Sequence, residues 1–302
     1  MINTRMSPIS RVLCLLMGLT IAAGLAVALP TTANAAGPPV RGTSGCPSGK
    51  VVLGGGAQVT GQGSADFRTL IQETGPGTIN GGAQSLWLAS VANADAVPHT
   101  IGISAVCAPR PAGYRVVRSD RTVAARAFLR TSVACPAGTV VLGGGSSVVG
   151  EGSADFKIST QESAPGTIGG GTQSVWLTAL RNNDVKTHTV GLFALCVTKP
   201  AGYQVVTKNT TVAANGFLRT TVSCPGGKVV AGGGPSVVGE GSADFRTRMQ
   251  ESSPGTIGAP AQSLWLAAVR NTDGRAHTVS VSAVCLTPQP GYQVIKKTFT
   301  AP

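Results

Sequence analysis

A stretch of sixty-two residues, Cys135 to Cys196, occurs three times in this chain. Its copies at 46–107 and 224–285 have the same length, and all three align without a gap at an offset of 89 residues. The second and third copies are identical at 39 of 62 positions, so the period is strict. The first copy keeps Gly-Ser-Ala-Asp-Phe at 63–67, Gln72-Glu73, Pro76-Gly77-Thr78-Ile79, Trp87 and His99. Self-similarity of this kind demands a fold built from repeated units, each with its own share of the core.

Arg5 and Arg11 precede an apolar run from Val12 to Leu29, followed by Ala33-Asn34-Ala35. A charged start, an apolar middle and an Ala-x-Ala end are the marks of a secretory signal peptide. Cleavage after Ala35 is the expectation, and Cys14 leaves with the signal. The divisions are then 1–35 for the signal and 36–120, 121–209 and 210–302 for the repeats.

Six cysteines remain, Cys46, Cys107, Cys135, Cys196, Cys224 and Cys285, two per repeat. In an exported chain that even count reads as disulfides. One pairing closes each repeat on itself. Another joins neighbours across the junctions (Cys107 to Cys135, Cys196 to Cys224) and leaves Cys46 to meet Cys285. The first is preferred because it makes every unit self-sufficient.

Turn pairs recur every eight to twelve residues and no segment holds a helical period, which is an all-β pattern. In the second unit strands are expected near 128–135, 139–149, 156–163, 173–182, 188–197 and 203–213. His188, Val190, Leu192, Ala194 and Cys196 share one face by alternation, and the cysteine side looks inward. The strand carrying Trp176 is apolar on both faces and should be covered on both. The fold expected is three tandem β-sandwich-like repeats of about 89 residues, one intra-repeat disulfide each. Three sandwiches in a row are preferred over three sheets round a pseudo-threefold axis. The Gly-Gly-Gly runs at 54–56, 143–145 and 232–234 interrupt strands, which marks a bend or a close approach of backbones.

Each candidate for chemistry has a bland reading beside it. Asp95/His99, Asp184/His188 and Asp273/His277 could bind a metal, but a histidine held by a turn carboxylate is the simpler state. Ser153, in Gly-Ser-Ala-Asp-Phe, lacks the nucleophile-elbow sequence. Glu73, Glu162 and Glu251, with Asp66, Asp155 and Asp244, are candidate ligand-binding carboxylates. In the second unit Glu162, Asp155 and Asp184 could hold calcium, although no calcium-loop spacing is present and no cofactor is expected otherwise. Trp87, Trp176 and Trp265 could stack on sugar rings if exposed, with Gln173, Asn182 and Asp184 nearby for hydroxyls; the alternative is core. No residue is assigned a catalytic role.

The frame Cys-Pro-x-Gly at 135–138, Val-Val-Leu-Gly-Gly-Gly at 140–145, Trp176, Asn182 and His-Thr-Val through Cys196 resembles β-rich modules of exported actinobacterial proteins. The resemblance implies export, a β fold and a disulfide per unit, and it brings no assigned activity.

Without Arg5 and Arg11 the chain carries 22 basic and 12 acidic residues, a balance that favours anionic surfaces. The charges are scattered singly, with no basic-aromatic pattern for specific nucleic acid recognition. No later segment reaches membrane-spanning length. A secreted or wall-associated, non-enzymatic binding protein with three similar sites, for extracellular or cell-wall polysaccharide, is the expected function. The alternatives are a structural or protein-interaction role in the envelope, and a protease inhibitor presenting loop 163–171.

Overall fold

The computed structural model describes residues 38–302 apart from 64–65, 80, 82–83, 151–155, 242 and 260. The segment read as a signal peptide therefore lies outside the described residues. Each unit contributes six strands. The first has β1 (Val40–Gly45), β2 (Lys50–Val59), β3 (Thr69–Ile79), β4 (Gln84–Asn93), β5 (His99–Pro109) and β6 (Arg115–Val123). The second has β7 (Phe128–Ala134), β8 (Thr139–Val148), β9 (Ile158–Ile168), β10 (Gln173–Asn182), β11 (His188–Thr198) and β12 (Gln204–Val212). The third has β13 (Phe217–Ser223), β14 (Val229–Val237), β15 (Thr247–Ile257), β16 (Gln262–Asn271), β17 (His277–Leu286) and β18 (Gln293–Ala301). No α-helix occurs among the described residues.

The strand positions agree with the alternation in the sequence to within a few residues, with one exception. β9 runs on through Ser163-Ala164-Pro165-Gly166 to Ile168. Most of the segment read as an inhibitory loop is thus sheet, and only a short turn remains beyond it. Pro165 is tolerated because β9 keeps its ladder with β10, where Pro165 faces Trp176.

The chain is all-β with one disulfide per unit as expected, but three tandem β-sandwich-like repeats do not hold: the strands form four sheets arranged as a propeller. Hydrogen bonds join the strands as β1-β4-β3-β8-β11-β6 and β13-β16-β15-β2-β5-β18, with two further sheets, β7-β10-β9 and β12-β17-β14. Every sheet of six crosses a unit boundary. Counted by ladders alone this is a four-sheet, propeller-like ring, but the repeat beneath it is threefold. Between third strands and the second strands of a neighbouring unit, the ladder links among the described residues are Thr74 with Ser146 and Ser252 with Ala57. The equivalent third link would join Ser163 to Pro235, and proline has no amide to offer. β9 and β14 still lie side by side, with the Ser163 carbonyl against Gly234.

The last strand of each unit is given away. β6 pairs with β11, β12 with β17, and β18 returns to β5, closing the ring. In the first unit β1-β4-β3 faces β2-β5-β18, and between them lie Trp87, Ile103, Phe67 and the Cys46–Cys107 bridge. The other units repeat this with Cys135–Cys196 and Cys224–Cys285. The intra-repeat pairing is therefore correct, with Cα separations of 5.6 Å throughout. Closing each such loop restricts the unfolded chain by about 4 kcal/mol.

The glycine runs make the ring possible. A Cβ on Gly54 would collide with the Ala231 carbonyl, one on Gly143 with the Leu53 carbonyl, and one on Gly232 with the Leu142 carbonyl. These three contacts form a cycle, so the first glycine of each run is where three backbones meet round the axis. The second glycines, Gly55, Gly144 and Gly233, lie under the indoles of Trp87, Trp176 and Trp265. Beside the glycine cycle, Leu53, Leu142 and Ala231 fill one buried cluster shared by all three units.

Candidate functional site

The residues that repeat most faithfully are spent on this architecture. Trp87, Trp176 and Trp265 are at most 2% exposed. Each indole Nε1 donates at 2.9 Å to a hydroxyl on the neighbouring strand: Thr74, Ser163 and Ser252. None presents a face to solvent, so the stacking-platform expectation is corrected to core. Gln173 donates to the Cys135 carbonyl. The Asn182 amide donates to the carbonyls of Val123, Ala124 and Lys186, tying a neighbouring strand end to its own turn.

Glu73, Glu162 and Glu251 are fully buried. Each follows a bulge at which Gln72, Gln161 or Gln250 is the extra residue, so the ladder skips one position. Arg41, Arg130 and Arg219 reach the three carboxylates at 2.9, 2.6 and 2.6 Å. The other partner comes from the next unit: the amides of Val148 (2.5 Å), Val237 (2.5 Å) and Val59 (2.7 Å). Burial pushes all three carboxyls above their ordinary range, against the pull of the amide and the guanidinium. These glutamates are seam bolts, each committed to a guanidinium of its own unit and an amide of the next.

Asp66 and Asp244 also cross a seam. Asp66 pairs with Arg270 and Asp244 with Arg181. Phe67, next to Asp66, meets Phe217 edge-on at 5.3 Å and carries the Arg219 guanidinium over its ring at 5.8 Å. Phe245 repeats this with Phe128 at 5.3 Å and Arg130 at 5.4 Å. The Asp-Phe end of the repeated pentapeptide is thus a clasp between units. Asp155 and Ser153 lie outside the described residues. Phe156 is buried in the core of the second unit. The sequence offers it Pro39 and Ala92 where the other clasps have a phenylalanine and an arginine.

The histidines follow the bland reading. His99, His188 and His277 contact Asp95, Asp184 and Asp273 at 2.7, 3.2 and 3.1 Å, with all three imidazoles buried. His277 has Glu240 on its other nitrogen at 2.9 Å. Among the described residues no group of three or more His, Cys, Asp or Glu is placed to hold a metal ion.

What remains for a ligand lies on the surface. One groove of about 700 Å³ runs between Pro254–Ile257 and Leu266 of the third unit and Gln58 and Ser104 of the first, with Lys296 along it. A second, of about 620 Å³, has Pro76–Thr78 and Leu88 of the first unit, Ser147 and Phe193 of the second, and Arg118 where the first has Lys296. These are the same place on two seams, related by the repeat. The Arg118 guanidinium lies over the Phe193 ring at 5.7 Å and is tied to Asp120 at 2.7 Å. Sequence reasoning missed these grooves because their walls come from strands of different units.

No protein-family profile matches the chain, and no curated protein is significantly similar to it. Three disulfides point to an oxidising environment, and no described helix is long and apolar enough to cross a membrane.

Proposed function

We propose that this is an exported, non-enzymatic binding protein for acidic extracellular or cell-wall polysaccharide. The observation that carries the reading is the repeated seam groove with a cation at the same position, Lys296 in one and Arg118 in the other. Open, elongated and lined by proline, threonine, leucine and a basic side chain, each suits a chain of hydroxylated, negatively charged units better than a compact molecule. The equivalent seam between the second and third units has Thr207 and Ser282 there instead, bonded to each other at 3.1 Å. Two charged grooves, rather than three equal sites, are the working part. Linking two weak sites on one rigid body raises overall affinity by orders of magnitude when both engage the same polymer.

The test is binding of the full chain to immobilised acidic and neutral polysaccharides, with Lys296→Gln and Arg118→Gln alone and combined. Each single change should weaken binding to the acidic polymer several-fold, and the double change far more than either. Equal binding to neutral polymers, or a double variant that binds like the parent, contradicts the reading.

A further inference from the structure

The groove between the third and first units does not stop at Lys296. A further cavity of about 270 Å³ shares its wall of Gly255, Thr256 and Val294 and continues it past Tyr292 to Lys228. Between the first and second units the same stretch is already part of the groove, which runs from Arg118 past Val116 and Tyr114 to Lys50. Each groove is therefore a trough with a cation at either end. Lys296 follows Tyr292 by four residues of extended chain, so the two ends lie roughly 13 Å apart along the strand.

The two ends vary together. Equivalent positions at one end hold Lys50, Thr139 and Lys228, and at the other Arg118, Thr207 and Lys296. The seam between the second and third units thus has threonine at both ends. Each is turned to local bonding: Thr139 Oγ1 donates to the Pro136 carbonyl at 2.6 Å, and Thr207 meets Ser282 at 3.1 Å. The middle of the trough does not vary. Val116, Val205 and Val294 are 45%, 40% and 42% exposed, and the hydroxyls of Tyr114, Tyr203 and Tyr292 donate to the carbonyls of Val52, Val141 and Val230. The paired cations alone distinguish two seams from the third.

These cations keep charge for a ligand. Lys228 Nζ donates at 2.8 Å to Gln204, a neutral partner. Lys296 is drawn by Glu251, which Arg219 already neutralises. Arg118 shares its charge with Asp120, but Arg110 and Arg115 add two more cations to the Lys50 end of that groove. An apolar middle with a few fixed polar groups suits the C–H face of a sugar ring, and the separated cations suit charges on either side of it.

Resting on the reading of these grooves as sites for acidic polysaccharide, we propose that each charged trough holds one linear segment of a uronic-acid polymer by two separated carboxylates, one at each end. The trough then reads the length of the segment as well as its charge. A single charged sugar, or a pair, engages one end only.

Calorimetric titration of the full chain with the dimer and the hexamer of galacturonic acid tests this. The parent should take two hexamers per chain and bind them about fivefold tighter than the dimer, which is too short to reach both cations. Lys50→Thr with Lys228→Thr places at both positions the residue type of Thr139, so the melting temperature should not change. The hexamer should then lose about fivefold in affinity, and its advantage over the dimer should disappear. Thr139→Lys with Thr207→Lys should raise the stoichiometry from two hexamers to three. A parent that does not bind the hexamer overturns this inference and the groove reading together. A hexamer preference that survives the Lys50 and Lys228 changes, while Arg118→Gln and Lys296→Gln still weaken binding, overturns this inference alone. So does a stoichiometry that stays at two in the Thr139 and Thr207 variant.

Discussion

The carboxylate of Glu162 accepts the backbone amide of Val237 at 2.5 Å, across the boundary between the second and third units. Its other contacts, Arg130 Nε at 2.6 Å and Nη2 at 2.8 Å, come from its own unit. One buried side chain therefore closes a bulge, neutralises a guanidinium and fastens a seam. Because Pro235 removes the backbone link present at the other two seams, the second-to-third junction leans on this glutamate most. Glu162→Gln should lower unfolding free energy by about 3–5 kcal/mol, since it leaves Arg130 partly buried and unpaired. Chemical denaturation measures this, and a loss below about 1 kcal/mol would mean the pair contributes little.

The same glutamates set a pH dependence. Burial raises their folded pKa values above the ordinary 4.5, so the folded chain holds protons that the unfolded chain has released. Their contribution is greatest at and below the unfolded value and is lost as pH rises through the folded values. Asp184 and Asp273 act oppositely. Burial raises them, but hydrogen bonds from the Val185 amide and His188, and from His277 and the Gly274 amide, outweigh it and lower both. What they add is lost as pH falls through their folded values. Stability should therefore rise as pH falls from neutral towards the ordinary glutamate value of 4.5 and decline in stronger acid, where the aspartates protonate. Urea midpoints that fall steadily from pH 7 to pH 5 contradict the assignment.

The glycine cycle is sharply position-specific. Gly143→Ala places a methyl against the Leu53 carbonyl and should cost about 3 kcal/mol or more, or prevent folding. Gly226→Ala meets nothing within 4 Å, and the equivalent positions already carry Ser48 and Ala137. It should stay within about 0.5 kcal/mol of the parent. Similar effects of the two changes, read from thermal melts, would argue against backbone contact at the axis.

Cutting by strand pairing gives different fragments from cutting by the sequence period. A fragment of residues 115–198 carries β6 to β11, which form two three-stranded layers closed by Cys135–Cys196. A fragment of residues 121–209 loses most of β6 and carries most of β12 with no partner. The first should show the sharper and higher thermal transition by circular dichroism. A reversed order would mean that the sixth strand belongs to its own unit.

Much of this was legible in the residues, and the gaps have physical causes. Strand positions follow from local alternation, which each unit carries within itself; the disulfide pairing was a preference for self-sufficient units over a junction pairing that spacing also allowed, and the structure has the preferred one. Gly143 announced a close approach, but not what it approaches. Strand exchange left no trace, because β6 alternates in the same way whether it pairs with its own fifth strand or with β11. Glu162 was a candidate ligand carboxylate beside a strand expected to end at 163; the ladder to β10 carries β9 onward to Ile168 and buries the carboxylate. Trp176 was open to two readings, and the hydroxyl of Ser163, thirteen residues away, satisfies its indole in the core.

Hydrogen–deuterium exchange on the full chain and on a chain ending at residue 292 tests most directly whether each unit's last strand belongs to the next. Removing β18 strips the ladder partner from β5 and the hydrogen bond from Ser44 Oγ to the Ile295 carbonyl. The interlocked ring predicts that protection is lost across residues 99–109 and 40–45, in the first unit, while 277–286 in the third keeps its own. Loss confined to the third unit, with 99–109 still protected, would contradict the exchange of strands and the closed ring that rests on it.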